Sequence, residues 1–307
     1  MPDSPKFFYG GQAVIEGVMI RGKSHVSVAV RRPNGQMRTL CEPLPRMFLG
    51  KARRIPFTRG ALVLAESLTL GLKALMFSAD AALEDEDAAA EVKPLSSFAT
   101  GGMLAVSLLI AIALFFVGPL LITRAIDRFI ASDALSNLTE GGIRLVIFFA
   151  YVWLMGRLPD MRRVFAYHGA EHMTIAAHEH GAPLTTAEIR KYPKEHPRCG
   201  TAFLMVVMVV AILTFVFLGR PDLWLRILER ILLIPVIAAV SYEIIRINAT
   251  HITHPIARFI TLPGLAMQWI TTRTPDDQQI EVAIKAMEGA LAADSAASPQ
   301  ALTPTPR

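Results

Sequence analysis

The sequence predicts a mainly α-helical membrane protein, with about four transmembrane helices, further interfacial helices and a small N-terminal β-hairpin region. Three observations carry this. Of the 307 residues 52% are hydrophobic, and the mean hydropathy of +0.41 exceeds that of ordinary soluble domains. Four apolar runs, 101–123, 142–158, 201–219 and 226–247, approach the ~20 helical residues that cross roughly 30 Å of hydrocarbon. Basic residues gather beside these runs, before residue 60 and between 157 and 198, as expected for Lys and Arg retained on the cytoplasmic side.

The net charge of +5 and pI of about 9.4 therefore suit anionic lipid headgroups, because the basic residues flank apolar runs and are not interleaved with exposed aromatics. Nucleic acid is excluded as a partner on the same ground. Two cysteines, Cys41 and Cys199, are too few for a disulfide framework. Residues 1–30 offer no apolar core followed by small residues, so no cleaved signal peptide is expected and insertion falls to internal spans.

Residues 1–56 read as a cytoplasmic β-rich region. Val26, Val28 and Val30 alternate, Pro33-Asn34-Gly35 supplies turn chemistry, and Met37, Thr39 and Cys41 alternate again, which predicts a hairpin. The glycines of Gly10–Gly17 resemble a phosphate-cradling loop only superficially, lacking its lysine and following helix. They predict a tight strand-to-turn segment, with Glu16 a minor site candidate. Residues 57–92 form an interfacial helix, 58–83, interrupted by Glu66 and Lys73, and an acidic linker, Glu84-Asp85-Glu86-Asp87. An interfacial position is preferred to a fifth span.

Residues 93–250 form the four-span domain, whose motif loop 159–200 carries more Lys and Arg than 124–141 and so faces the cytoplasm. With four crossings both termini lie on that side of a bacterial-type inner, or cytoplasmic, membrane. Residues 251–292 hold Pro255, Pro263 and Gly264, which predict broken or interfacial helices, and then a final helix opened by Thr274-Pro275-Asp276-Asp277. Residues 293–307, rich in Ala, Ser, Pro and Thr, read as a disordered tail.

The chemistry concentrates in Tyr167-His168-Gly169-Ala170-Glu171-His172 and the following His178-Glu179-His180-Gly181. On a helix His168 and His172 share one face, one turn apart, and Glu179 falls between them two turns on. The order H-x-x-E-H is that of inverted zinc peptidases, whose glutamate acts on water. A second cluster, His196-Pro197-Arg198-Cys199-Gly200, immediately precedes the third apolar run. His196 and Cys199 have a spacing common among zinc ligands, and Arg198 suits an anionic group.

These segments, with Gly10–Met19, resemble the YqhQ-like family of bacterial membrane proteins of unknown function over residues 8 to 292. The departures, Met173 where a lysine is usual and Ala202 where a serine is usual, touch no candidate ligand. The family is described as predicted metal-dependent enzymes, so the resemblance implies a metal role for His168, Glu171, His172, Glu179, His196, Arg198 and Cys199.

Each residue has a plainer reading beside this one. The two histidines suit backbone or lipid phosphate, Glu171 suits an ion pair with Arg163, and Cys199 suits simple packing. His178 and His180 read as solvent-side, and His251 and His254 as interfacial. Glu243 is either functional, as an ionisable group near the membrane, or paired with Arg246.

The leading expectation is a membrane-embedded, metal-dependent hydrolase acting on a lipid-linked or membrane-proximal anionic substrate. His168, His172 and Glu179 or His196 would hold a divalent cation, zinc by ligand type, with Glu171, Arg198 and Cys199 as catalytic candidates. The alternative is a non-enzymatic scaffold or assembly factor whose His-rich loop binds a partner or a structural metal. Transport is disfavoured by the scarcity of polar residues within the first three runs.

Overall fold

The computed structural model describes residues 7–48, 50, 55–83, 97–251 and 254–297. Apolar alternation in the N-terminal region builds one antiparallel sheet in the order β1 (Gly10–Val14), β2 (Gly17–Arg21), β3 (His25–Arg31), β4 (Met37–Pro43). The predicted hairpin is β3–β4, with Gly35 at φ 84° in its turn. A second hairpin, β1–β2, goes beyond the expected strand-to-turn segment. Its two-residue turn is Ile15-Glu16, and Glu16 takes φ 51°, a left-handed conformation that the usual turn residues would have signalled.

The pleat separates the two faces of this sheet. Val14, Met19, Val26, Val28 and Val30 pack on Leu70, Ala74 and Ala81 of α1 (Thr58–Leu83). Glu66 sits buried on that face because Arg21 donates to it at 3.0 Å. The outer face of α1 leaves Leu68, Leu75, Met76 and Leu83 exposed. On the other side of the sheet, Val18, Ile20 and Ala29 join Tyr167, Ala170, Ile280, Ala283 and Met287 in one core. These come from α5 (Pro159–Glu179) and α11 (Asp277–Ala296), the latter opened by a capping box between Asp276 and Gln279. α11 therefore runs four residues into the stretch predicted as tail; residues 298–307 and the acidic run 84–87 lie outside the described residues.

Asp294 ties the end of α11 to the β2–β3 turn, accepting from the amides of Lys23 (2.6 Å) and Ser24 (2.9 Å) and from Ser24 Oγ (2.8 Å) and Tyr9 Oη (3.1 Å). Burial raises its pKa, but these four donors outweigh burial and leave it below the usual aspartate value. Stability from this clasp is thus present above the unfolded pKa of about 3.9 and lost as pH falls through the lower folded value. Asp294→Ala is expected to cost about 2–3 kcal/mol, read as a lower thermal midpoint at pH 7 and a smaller loss on acidification than in the parent. An unchanged midpoint would refute this role.

The remaining helices follow in chain order. α2 (Ser97–Ile112) passes through a π-helical turn, Ala113–Val117, into α3 (Gly118–Ile126), and α4 (Asp133–Met155) returns. Then follow α6 (Thr186–Ile189), α7 (Gly200–Val216), α8 (Leu223–Leu232), α9 (Ile234–Thr250) and α10 (Pro255–Thr271). Among the described residues three helices, Thr58–Leu83, Gly101–Phe129 and Asp133–Met155, are long and apolar enough to cross a membrane, and Gly200–Val216 is a shorter apolar helix.

Three expectations need correction. The run 226–247 is not one helix: it is divided between α8 and α9 at Leu233, with Pro235 in the first turn of α9. Residues 255–271 form one helix despite Pro263. Gly264 there permits close crossing, since a Cβ on it would lie 2.5 Å from that of Ala202 in α7.

Third, α4 starts nine residues before the predicted 142–158 run, which brings buried polar groups within a candidate span. Glu140 accepts from Arg144 (2.7 Å), Arg226 (3.0 Å) and Arg230 (2.7 Å), all four being at most 4% exposed. Asn137 accepts from Arg230 at 2.9 Å, and Arg144 Nε donates to the carbonyl of Phe115 in the π turn. α8 is thus inverted: its arginines face inward, while Trp224, Leu228 and Leu232 are exposed.

Candidate functional site

α5 starts with Pro159 in its first turn and lies beside β1, so its inner face is presented to the sheet edge. His168 and His172 are one turn apart there, ring centroids 4.3 Å from each other. His168 Nδ1 lies 2.9 Å from the carbonyl of Thr271, and His172 Nδ1 lies 2.7 Å from that of Lys194. A carbonyl only accepts, so each Nδ1 carries a proton, and in the neutral ring Nε2 keeps its lone pair. His168 Nε2 is 3.1 Å from Cys199 Sγ. Ligand atoms of His168, His172 and Cys199 all lie within 4.8 Å of one another.

Cys199 is the N-cap of α7, its sulfur accepting from the Thr201 amide at 3.4 Å. Burial pushes the His172 imidazole down, against the pull of Cys199. Glu171, 4% exposed, is pushed up by burial, while His168, His196 and the backbone amide of Gly11 act in the opposite direction.

Glu179 does not join the two histidines. It pairs with Arg198, and its second oxygen lies 3.4 Å from His196 Nε2. Burial raises the Glu179 carboxyl, but His196 and Arg198 together hold it low. The Arg198 guanidinium also stacks 4.1 Å from the centre of Phe8. His196 is 5.7 Å from the His172 ring, centre to centre, and its backbone is clamped by Gln268, at 2.7 Å and 2.9 Å. His196, expected to pair with Cys199 as a ligand, lies outside the group of ligand atoms formed by His168, His172 and Cys199.

Other candidates lie elsewhere. His178 packs edge-on against Tyr9, and His180 bonds back to Ala176. His251 and His254 sit at the ends of α9 and α10. Glu243 pairs with Arg59 of α1, not with Arg246. Glu16 accepts from Arg163 at 2.6 Å and Tyr167 at 3.2 Å, so Arg163 is occupied there and does not partner Glu171.

A trench of about 570 Å³ holds this constellation, lined among others by Gly10–Ala13, His168, Glu171, Arg198 and Cys199. β1 forms part of its wall, a placement beyond the strand-to-turn role expected of Gly10–Gly17. The signal was present in Gly11: a Cβ there would lie 2.8 Å from Glu171 Oε1 and 2.5 Å from the Met19 carbonyl, so a side chain is excluded where the strand approaches Glu171.

Fold and site together define a helical membrane protein that carries a His, Cys and Glu pocket against a small sheet. The chain belongs to a family described as "Protein of unknown function (DUF1385)", which it matches over residues 55–293. It is 32% identical over 288 residues, 90% of each chain, to "Uncharacterized protein YqhQ" of Bacillus subtilis (strain 168). No solved structure matches it.

Proposed function

We propose that this protein is a metal-dependent hydrolase of the bacterial inner membrane, acting on a membrane-proximal substrate at the cytoplasmic face. The observation that carries the reading is the donor set: two imidazoles whose Nδ1 protons are held by backbone carbonyls, with one thiol within 4.8 Å. Metal-binding histidines usually donate their second nitrogen in this way, and three protein ligands are the number used by catalytic zinc sites. His168, His172 and Cys199 would hold the cation. When bound, a zinc-like cation supplies Lewis acidity and lowers the pKa of water.

Glu171 then takes a proton from the attacking water and delivers it to the leaving group, a role suited to a carboxyl that lies beside the two histidines and has its pKa raised by burial. Arg198, steadied by Glu179, offers positive charge at the trench for an anionic or lipid-linked substrate. Metal analysis of the detergent-purified protein tests the donor set: about one divalent ion per chain in the wild type and none in the His168→Ala, His172→Ala double variant. A metal-free wild type would sink it.

One observation favours a second reading. Cys199 stands at a helix N-terminus with a histidine nitrogen 3.1 Å from its sulfur, an arrangement that also activates a thiol nucleophile. Rapid alkylation of Cys199 in a metal-free, active protein would select it.

The packing also supports four crossings. The core joining β2, α5 and α11 cannot form across a bilayer, so an even number of crossings must separate these elements. Between the sheet and α5 these are Gly101–Phe129 and Asp133–Met155, leaving α1 at the interface on the sheet. Between α5 and α11 they are α7 and the broken pair α8–α9. Both termini then share the cytoplasmic side, the side of the basic motif loop.

A further inference from the structure

The outer edge of β1 is engaged at one point, where the Gly11 amide donates to Glu171. The amide of Arg31 donates to the carbonyl of Glu16 at 2.8 Å, which fixes the parity of the whole sheet. Residues 18 and 20 of β2 direct their main-chain groups to β3, so Gly17, Met19 and Arg21 direct theirs to Val14, Gln12 and Gly10. Gly11 and Ala13 consequently point away from β2. Among the described residues, no backbone group pairs with them on that side. Both line the trench that holds Glu171, His168 and Cys199, and Gly10 and Gly11 are exposed. A strand edge open at the Gly11 carbonyl and at both main-chain groups of Ala13 is a template for another chain, and two successive glycines let that chain approach closely.

We propose that the trench binds an extended polypeptide segment as an added strand on β1, and that such segments are the substrate. The substrate role rests on the hydrolytic reading above; the binding does not. Main-chain pairing to Ala13 and to the Gly11 carbonyl carries the affinity and sets the register, bringing one peptide bond alongside Glu171, which the Gly11 amide holds. Hydrolysis there consumes one water. Its oxygen bonds to the carbonyl carbon, the C–N bond breaks, and Glu171 relays a proton to the departing nitrogen, leaving a carboxylate and an amine.

The test uses the full chain in detergent and a library of end-blocked synthetic peptides about six residues long, the common strand length. Retention is measured on the Glu171→Gln protein and cleavage on the parent, both by mass spectrometry. Ala13→Pro deletes the outward N–H and leaves the β2 ladder whole, which an edge position tolerates; Ala13→Ser keeps the N–H. Retention should fall at least tenfold with Ala13→Pro and stay unchanged with Ala13→Ser. A library N-methylated at alternate amides should lose retention equally on the parent backbone, a result that does not depend on how the variant folds.

No retention, or retention indifferent to both changes, overturns the proposal, as does selective uptake of anionic lipid in place of peptide. Edge-dependent retention without cleavage supports strand binding and removes the hydrolase reading. Cleavage that ignores Ala13→Pro and N-methylation does the reverse.

Discussion

Glu171→Gln is expected to lower hydrolysis by about 10²–10⁴-fold, the usual worth of a positioned general base, while the metal stays bound. The amide keeps the size of the carboxyl, so the cavity between α5 and Gly11 is still filled. It cannot accept a proton from water. The proposed ligands His168, His172 and Cys199 do not include Glu171, so metal content should match that of the parent. Paired turnover and metal measurements distinguish this from collapse of the site. Full activity in the variant would remove Glu171 from the chemistry, and loss of metal would make it a ligand.

Glu140→Ala should be the most damaging single change outside the site. It removes the carboxylate that accepts from Arg144, Arg226 and Arg230, leaving three buried guanidiniums that, among the described residues, keep only Asp127 and neutral acceptors. Breaking a buried ion pair from one side costs about 3–5 kcal/mol. The expected readout is a sharp fall in thermal midpoint and in monodisperse yield from detergent. Replacing Glu140, Arg226 and Arg230 together by Leu or Met should recover most of that loss, because the desolvation cost disappears with the charges. A tolerant Glu140→Ala would mean that the cluster contributes little to holding α8 in the bundle.

The legible parts were those with short-range causes. His168 and His172 could be paired because a helix puts i and i+4 on one face, and β3–β4 was announced by Pro33-Asn34-Gly35. Cys199 met the histidines through tertiary packing: it caps α7, and the spacing to His196 says nothing of this. Glu179 had the right helical angle for the site, but Arg198 and His196 draw it away. β1–β2 was hidden by the Ile15-Glu16 turn, which lacks turn residues. The Glu140 cluster was hidden because a charge within a mostly apolar stretch reads as its boundary until a partner such as Arg230, 90 residues away, is seen beside it.

The core that unites β2, α5 and α11 also has a bearing on timing. Translation delivers the sheet first and α11 last, with every membrane segment in between. Until α11 docks, the sheet is held beside α5 through β1 and β2 alone, and β3 lacks its partner in the shared core. The trench is therefore fully braced only after all the helices between the sheet and α11 have been made.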